Sequence, residues 1–138
     1  MNDYAKFLSP EVNGESAAEL IAAAEACLEG FTACFNARDR SGMDAHLHFP
    51  HVMYSGAERL VWERVGQLPN DFFDKLIATG WAKTVYEDKQ PVLVSLDKVH
   101  FRVRYTRRTS DGRVLSEHEN IWFVTRIGGR WGIALRSY

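Results

Sequence analysis

A histidine, a tyrosine, an asparagine and a serine are placed near the end of this 138-residue chain so that they could act on one small molecule. His118 and Asn120 alternate along one run, Tyr105 sits in the run before it and Ser137 in the run after it. Imidazole titrates near pH ~6.5, which makes it the natural acid or base at neutral pH. A phenol and an amide can hold a carbonyl or hydroxyl oxygen by hydrogen bonds. Buried alone, such groups are costly, so the four either satisfy one another or are completed by a ligand.

Other residue types in the chain also bear on chemistry. His46, His48 and His51 lie close together, but their spacing matches no ligand pattern and no carboxylate or thiol completes a set. No metal and no cofactor are expected. His51 and Tyr54 belong to a short extended segment and are assigned to the mouth of a pocket. Trp62, Trp81, Phe101 and Trp122 supply aromatic wall that suits a flat or hydrophobic molecule. Cys27 and Cys34 are seven residues apart on a helix, a rise of roughly 10 Å and too far for a disulfide between them. Both read as reduced core thiols of a cytoplasmic protein.

The elements that must position these groups start with the C-terminal stretch, 98–138. Val99, Phe101, Val103 and Tyr105 alternate with polar neighbours, the period of a half-buried strand. Asp111-Gly112 and Gly128-Gly129 punctuate the alternation as hairpin turns. Two-residue turns there place Tyr105 opposite His118, Val103 opposite Asn120, Phe101 opposite Trp122 and Val99 opposite Val124. Across the second hairpin they place Val124 opposite Ile133, Trp122 opposite Leu135 and Asn120 opposite Ser137. The other face then sets Arg104 against Glu119, an opposite-charge pair that supports this register. That outer face carries Ile121, Phe123 and Ala134 ringed by Arg102, Arg104 and Arg136, an apolar patch with a charged rim. It implies a symmetric homodimer.

Upstream, residues 1–15 read as a tail and 16–138 as one domain. Ser16 to Glu19 is a capping box, and Leu20, Ala24, Cys27, Leu28, Phe31 and Phe35 form a helical stripe running to about Arg38. Ser41-Gly42 breaks the chain. Pro50 turns it extended, with a strand at 51–55 and its partner at 59–62. Pro69-Asn70 opens a helix that buries Phe72, Phe73, Leu76 and Ile77 and ends at Gly80. A long strand over 81–96, bent near Pro91, leads into the meander.

Composition sets the bounds. A hydrophobic fraction of 46% is enough for one real core. The net charge of −1 leaves no basic excess for nucleic acid. The arginines at 102, 104, 107 and 108 have Glu117 and Glu119 beside them and read as a solvated or paired face. No apolar run reaches the ~20 residues that span a bilayer, and the first six residues lack the segments of a signal peptide. A cytoplasmic location is expected, with neither nucleic acid nor membrane as partner.

Helices, a short hairpin, a further helix and four long antiparallel strands, ending on Val124-Thr125-Arg126-Ile127-Gly128-Gly129-Arg130-Trp131-Gly132-Ile133, resemble the nuclear transport factor 2-like superfamily. That group includes ketosteroid isomerase, SnoaL-like polyketide cyclases and scytalone dehydratase. The resemblance implies an α+β fold in which a strongly curved, mainly antiparallel sheet wraps around N-terminal helices to form a cone with an apolar pocket. It also implies dimers through the outer face of the sheet. Ketosteroid isomerase carries a catalytic aspartate just before a proline. Here Phe49 precedes Pro50, so that base is absent and the isomerase activity is not carried over. Three readings follow: an enzyme of proton-transfer type (isomerase, dehydratase or cyclase-like) with His118, Tyr105 and Asn120 as its centre, a non-catalytic binder of a small hydrophobic molecule, and a dimeric accessory domain.

Overall fold

Helix α1 (Ala17–Asn36) begins where the sequence supplies a cap: the Ser16 hydroxyl accepts the Glu19 N–H at 3.2 Å. The structure, a computed structural model, describes residues 16–138, so the expected tail lies outside the described residues. α1 stops two residues short of the expected Arg38. The Asn36 side chain turns instead onto the backbone of Thr84, donating to its carbonyl at 2.9 Å and accepting its N–H at 2.8 Å. Arg38 then takes φ 56°, and there the helical chain breaks. Ser41-Gly42, expected as the break, lies inside a second short helix, α2 (Arg40–Ala45). Asp39 caps it, its carboxylate accepting the Gly42 N–H at 3.0 Å.

Strand β1 (Leu47–Ser55) folds back through Gly56-Ala57 onto β2 (Glu58–Trp62). Helix α3 (Phe72–Ala78) buries Phe73 and Leu76. Ile77 was expected on its buried face but is 44% exposed, because a helix this short presents only one narrow stripe to the core. β3 (Lys83–Ser95), β4 (Lys98–Arg108), β5 (Val114–Ile127) and β6 (Arg130–Ser137) follow. The strand order is β2-β1-β6-β5-β4-β3, antiparallel except for the parallel contact of β1 with β6. β3 lies at an edge, and its register shifts between Pro91 and Leu93, where proline cannot donate to the ladder.

The β4–β5 pairings are those expected, but not through a two-residue turn at Asp111-Gly112. The Gly112 N–H donates to the Thr109 carbonyl at 3.0 Å, so the turn is centred on Ser110-Asp111, and a register shift between Arg107 and Arg108 restores the count. Tyr105 pairs with His118, Val103 with Asn120, Phe101 with Trp122 and Val99 with Val124. Arg104 does stand opposite Glu119, although the ion pair forms diagonally from Arg102, at 3.5 Å. The β5–β6 register holds only as far as Val124 and Ile133. One extra residue, Ala134, then enters β6 as a bulge, so Phe123 pairs with Leu135, Trp122 with Arg136 and Ile121 with Ser137. The expected pairings of Trp122 with Leu135 and Asn120 with Ser137 are thereby corrected. Beyond the bulge the two faces of β6 exchange. Arg136, assigned to the outer rim of the dimer patch, points inward, and Leu135 takes its place outside.

The inner face of this curved, open sheet packs on α1. Leu20, Ala24, Leu28 and Phe31 meet Phe101, Val103, Trp122 and Val124 in one buried cluster. Phe31 stands edge-on to Trp122 at 5.9 Å, and Phe35 stands edge-on to Phe72, Phe73 and Trp81. Among the described residues no helix is long and apolar enough to cross a membrane.

Candidate functional site

Between α1 and the inner face of the sheet lies a cavity of about 490 Å³. Its floor is a row across three strands, Met53 on β1, Arg136 on β6 and Trp122 on β5, held level by the register that the bulge creates. Phe31 and Phe35 of α1 form one wall. Tyr105, Arg107 and His118 form another toward the far end of β4 and β5. Among the described residues no aspartate or glutamate lines it.

His118 and Tyr105 are cross-strand partners whose rings stack at 4.9 Å. His118 is half-buried, and its Nε2 lies 2.8 Å from the Ser116 hydroxyl, a hydrogen bond whose direction follows the tautomer. Burial first, and the Arg107 guanidinium second, push its pKa below the ordinary value. The imidazole is therefore neutral at pH 7 and able to accept a proton. Burial pushes the Tyr105 phenol up, so it stays protonated. Its oxygen accepts from Asn120 Nδ2 at 3.0 Å, which leaves the phenolic proton to donate. Asn120 sits behind Tyr105 and orients it rather than lining the cavity.

The structure separates the other expected site residues. Trp62 and Trp122 line the cavity. Trp81 and Phe101 are core, and the Trp81 indole donates to Thr84 Oγ1 at 3.0 Å. His51 is fully buried beneath the floor. Its Nε2 accepts from Arg136 Nε at 3.0 Å, and its Nδ1 therefore carries the proton donated to the Ile133 carbonyl at 2.9 Å. Tyr54 and Ser137 are paired on the outer face of the sheet, because inner Met53 and inner Arg136 are their neighbours along the strands. The other two histidines of the early cluster are structural. His46 is 2.7 Å from the Gly42 carbonyl, and His48 takes a hydrogen bond from Arg130 at 3.0 Å. No group of residues suited to hold a metal occurs among the described residues.

Arg136 and Arg107 are the charged cavity residues that strand alternation missed. Arg107 continues the inner series Phe101, Val103, Tyr105, but its charge made it read as surface. Arg136 is 6% exposed. Its signal was present in the run Ile133-Ala134-Leu135, three apolar residues in succession, which breaks period two and marks a bulge. Besides His51 it donates from Nη2 to Met53 Sδ at 3.3 Å. Its guanidinium carbon lies 5.1–5.9 Å from the ring centres of Phe31, Trp62, Trp122 and Tyr138.

The sequence profile of the NTF2-like protein (DUF6841) family matches residues 18–136. The chain belongs to this family. Solved structures agree with the NTF2-like fold. A protein of unknown function with a cystatin-like fold from Nostoc punctiforme is 12% identical, with 90% of this chain and 92% of that one covered at a TM-score of 0.67. An NTF2-like protein with a cystatin-like fold from Novosphingobium aromaticivorans is 14% identical, over 87% and 80%, at 0.66. A ketosteroid isomerase-like protein from Erwinia carotovora atroseptica is 19% identical, over 86% and 94%, at 0.58. At these identities the likeness is one of fold. No curated protein matches the sequence.

Proposed function

We propose that this NTF2-like protein takes a small, largely apolar molecule into the cavity between α1 and the sheet, and that His118 with Tyr105 performs proton-transfer chemistry on it. The reading rests above all on the stacked His118–Tyr105 pair at the wall of an aromatic cavity of about 490 Å³, a volume within the ~300–1,000 Å³ of small-molecule sites. A neutral imidazole beside a protonated phenol is a base beside a hydrogen-bond donor, the combination that shifts a proton next to a carbonyl or eliminates water. Isomerisation, dehydration and cyclisation share that first step. The ketosteroid isomerase-like neighbour carries a related name, but the aspartate expected before Pro50 is Phe49 in this chain. Any base here is His118.

A binding role without catalysis is the second reading, favoured by the absence of a carboxylate from the cavity wall among the described residues. One sequence of measurements separates them. A thermal-shift screen of a metabolite library identifies the ligand class, since a compound at 100 times its Kd adds ~2.7 kcal/mol. Each hit is then followed for turnover with the wild type and with His118→Ala. Turnover that falls ~10²–10⁴-fold in the variant supports the enzyme. Hits with no turnover leave a binder, and a blank screen counts against the pocket altogether.

A further inference from the structure

Arg136 is a buried cation whose protein contacts are all neutral. His51 cannot neutralise it, because an imidazole is never an anion, and burial and the arginine's own charge keep this one neutral. Met53 Sδ is a weak acceptor. The ion pairs among the described residues do not include Arg136. The surrounding rings offset part of the desolvation, and no ring replaces an anion for a guanidinium removed from water. Beside it, Trp122 Nε1 is buried with no acceptor, although an indole N–H at such depth ordinarily finds one. Both residues line the same cavity, and the second guanidinium on its wall is Arg107.

We infer that the ligand carries a carboxylate seated on the Arg136 guanidinium, with a flat apolar body between the aromatic walls. The inference rests on the small-molecule pocket argued above and adds the charge of its occupant. Nε is committed to His51 and one Nη2 proton to Met53, so Nη1 is the end left to face an anion. A planar carboxylate matches that edge of the fork, and a second oxygen lone pair can take the Trp122 N–H. A phosphate dianion would bring more acceptor sites and more charge than one guanidinium edge and one indole satisfy. Such an acid would meet Arg136 at the floor while its distal end lay toward His118 and Tyr105.

The test is isothermal titration calorimetry with 2-naphthoate and its uncharged isostere 2-naphthamide. The wild type should bind the acid about 10- to 100-fold more tightly than the amide, the scale of hydrogen bonds to a charged group. Arg136→Met should abolish that preference while keeping the amide affinity within a few-fold. Arg136→Lys should retain part of it, since charge stays and the fork is lost. Equal binding of acid and amide to the wild type overturns the inference and leaves the pocket standing, as does a preference for the acid that survives in Arg136→Met. Binding of neither probe overturns the pocket and the carboxylate together. If Arg136→Met does not fold, the wild-type pair of titrations still decides.

Discussion

Arg136 Nε donates to His51 Nε2 at 3.0 Å, a hydrogen bond between two buried side chains that joins β6 to β1 beneath the cavity floor. It exists because a one-residue bulge turns Arg136 inward, and it requires the imidazole to be neutral. Stability must therefore depend on pH. Desolvation first, and the charge of Arg136 second, lower His51 to about 3, against the opposing pull of the Ile133 carbonyl. A folded-state value below the ordinary one means that the unfolded chain binds the proton more tightly. The contribution of His51 is fully present above pH ~6.5 and is lost as pH falls toward 3. The slope approaches ~1.4 kcal/mol per pH unit. Melting curves between pH 7 and 5 should show a falling Tm, and His51→Gln should flatten most of that fall. His100 and His118, also lowered, add smaller parts. A slope unchanged in His51→Gln would contradict the assignment.

Asn120→Ala should cost stability with little change in the shape of the cavity. The amide donates to the Tyr105 oxygen at 3.0 Å, and both residues are buried. Its loss leaves a buried phenol with one acceptor site empty, worth ~1–3 kcal/mol. Urea denaturation measures this directly. Asn120→Asp should be worse at neutral pH, because it buries a carboxylate. A neutral result for Asn120→Ala would show that water replaces the amide.

Gly30→Ala should destabilise even though alanine is favoured over glycine inside a helix by ~1 kcal/mol. A methyl group at Gly30 would run into the imidazole of His46, which is tied to the Gly42 carbonyl at 2.7 Å. The double variant Gly30→Ala/His46→Ala removes the collision. Thermal denaturation of the set should show recovery relative to the single Gly30 variant. Failure to recover would place the strain elsewhere.

We propose a homodimer through the outer face of the sheet. The register aligns Val52, Leu135, Phe123, His100 and Leu93 in one row across five strands, with the His100 and Phe123 rings stacked at 3.7 Å. Leu135 replaces Arg136 in this patch, leaving Arg102 and Arg104 of the arginines first assigned to its rim. Apolar patches with a charged rim favour association. Light scattering should give about twice the chain mass of 15.8 kDa, and Phe123→Asp should return it to one. A wild-type mass of one chain at micromolar concentration would remove the proposal.

What the sequence determined by itself came from local alternation and turn chemistry, as far as no bulge intervened. The turn signal near Asp111-Gly112 and the period-two run before it put Tyr105 beside His118, and the shift between Arg107 and Arg108 offsets the wider turn that actually forms. The cap at Ser16 and the stripe through Phe31 likewise needed no distant partner. Tertiary structure decided the rest. Asn36 ends its helix on the backbone of a strand far along the chain. Tyr54 stands outside as the neighbour of inner Met53, and Ser137 stands outside because the bulge exchanges the faces of β6. Arg136 entered the cavity because Ala134 bulges out of β6, and both β5 and β1 pair with the residues beyond it in the shifted register. An alternating strand read alone has a defined face only until a neighbour inserts a bulge, and a charge beyond that point can be buried by packing that no local pattern records.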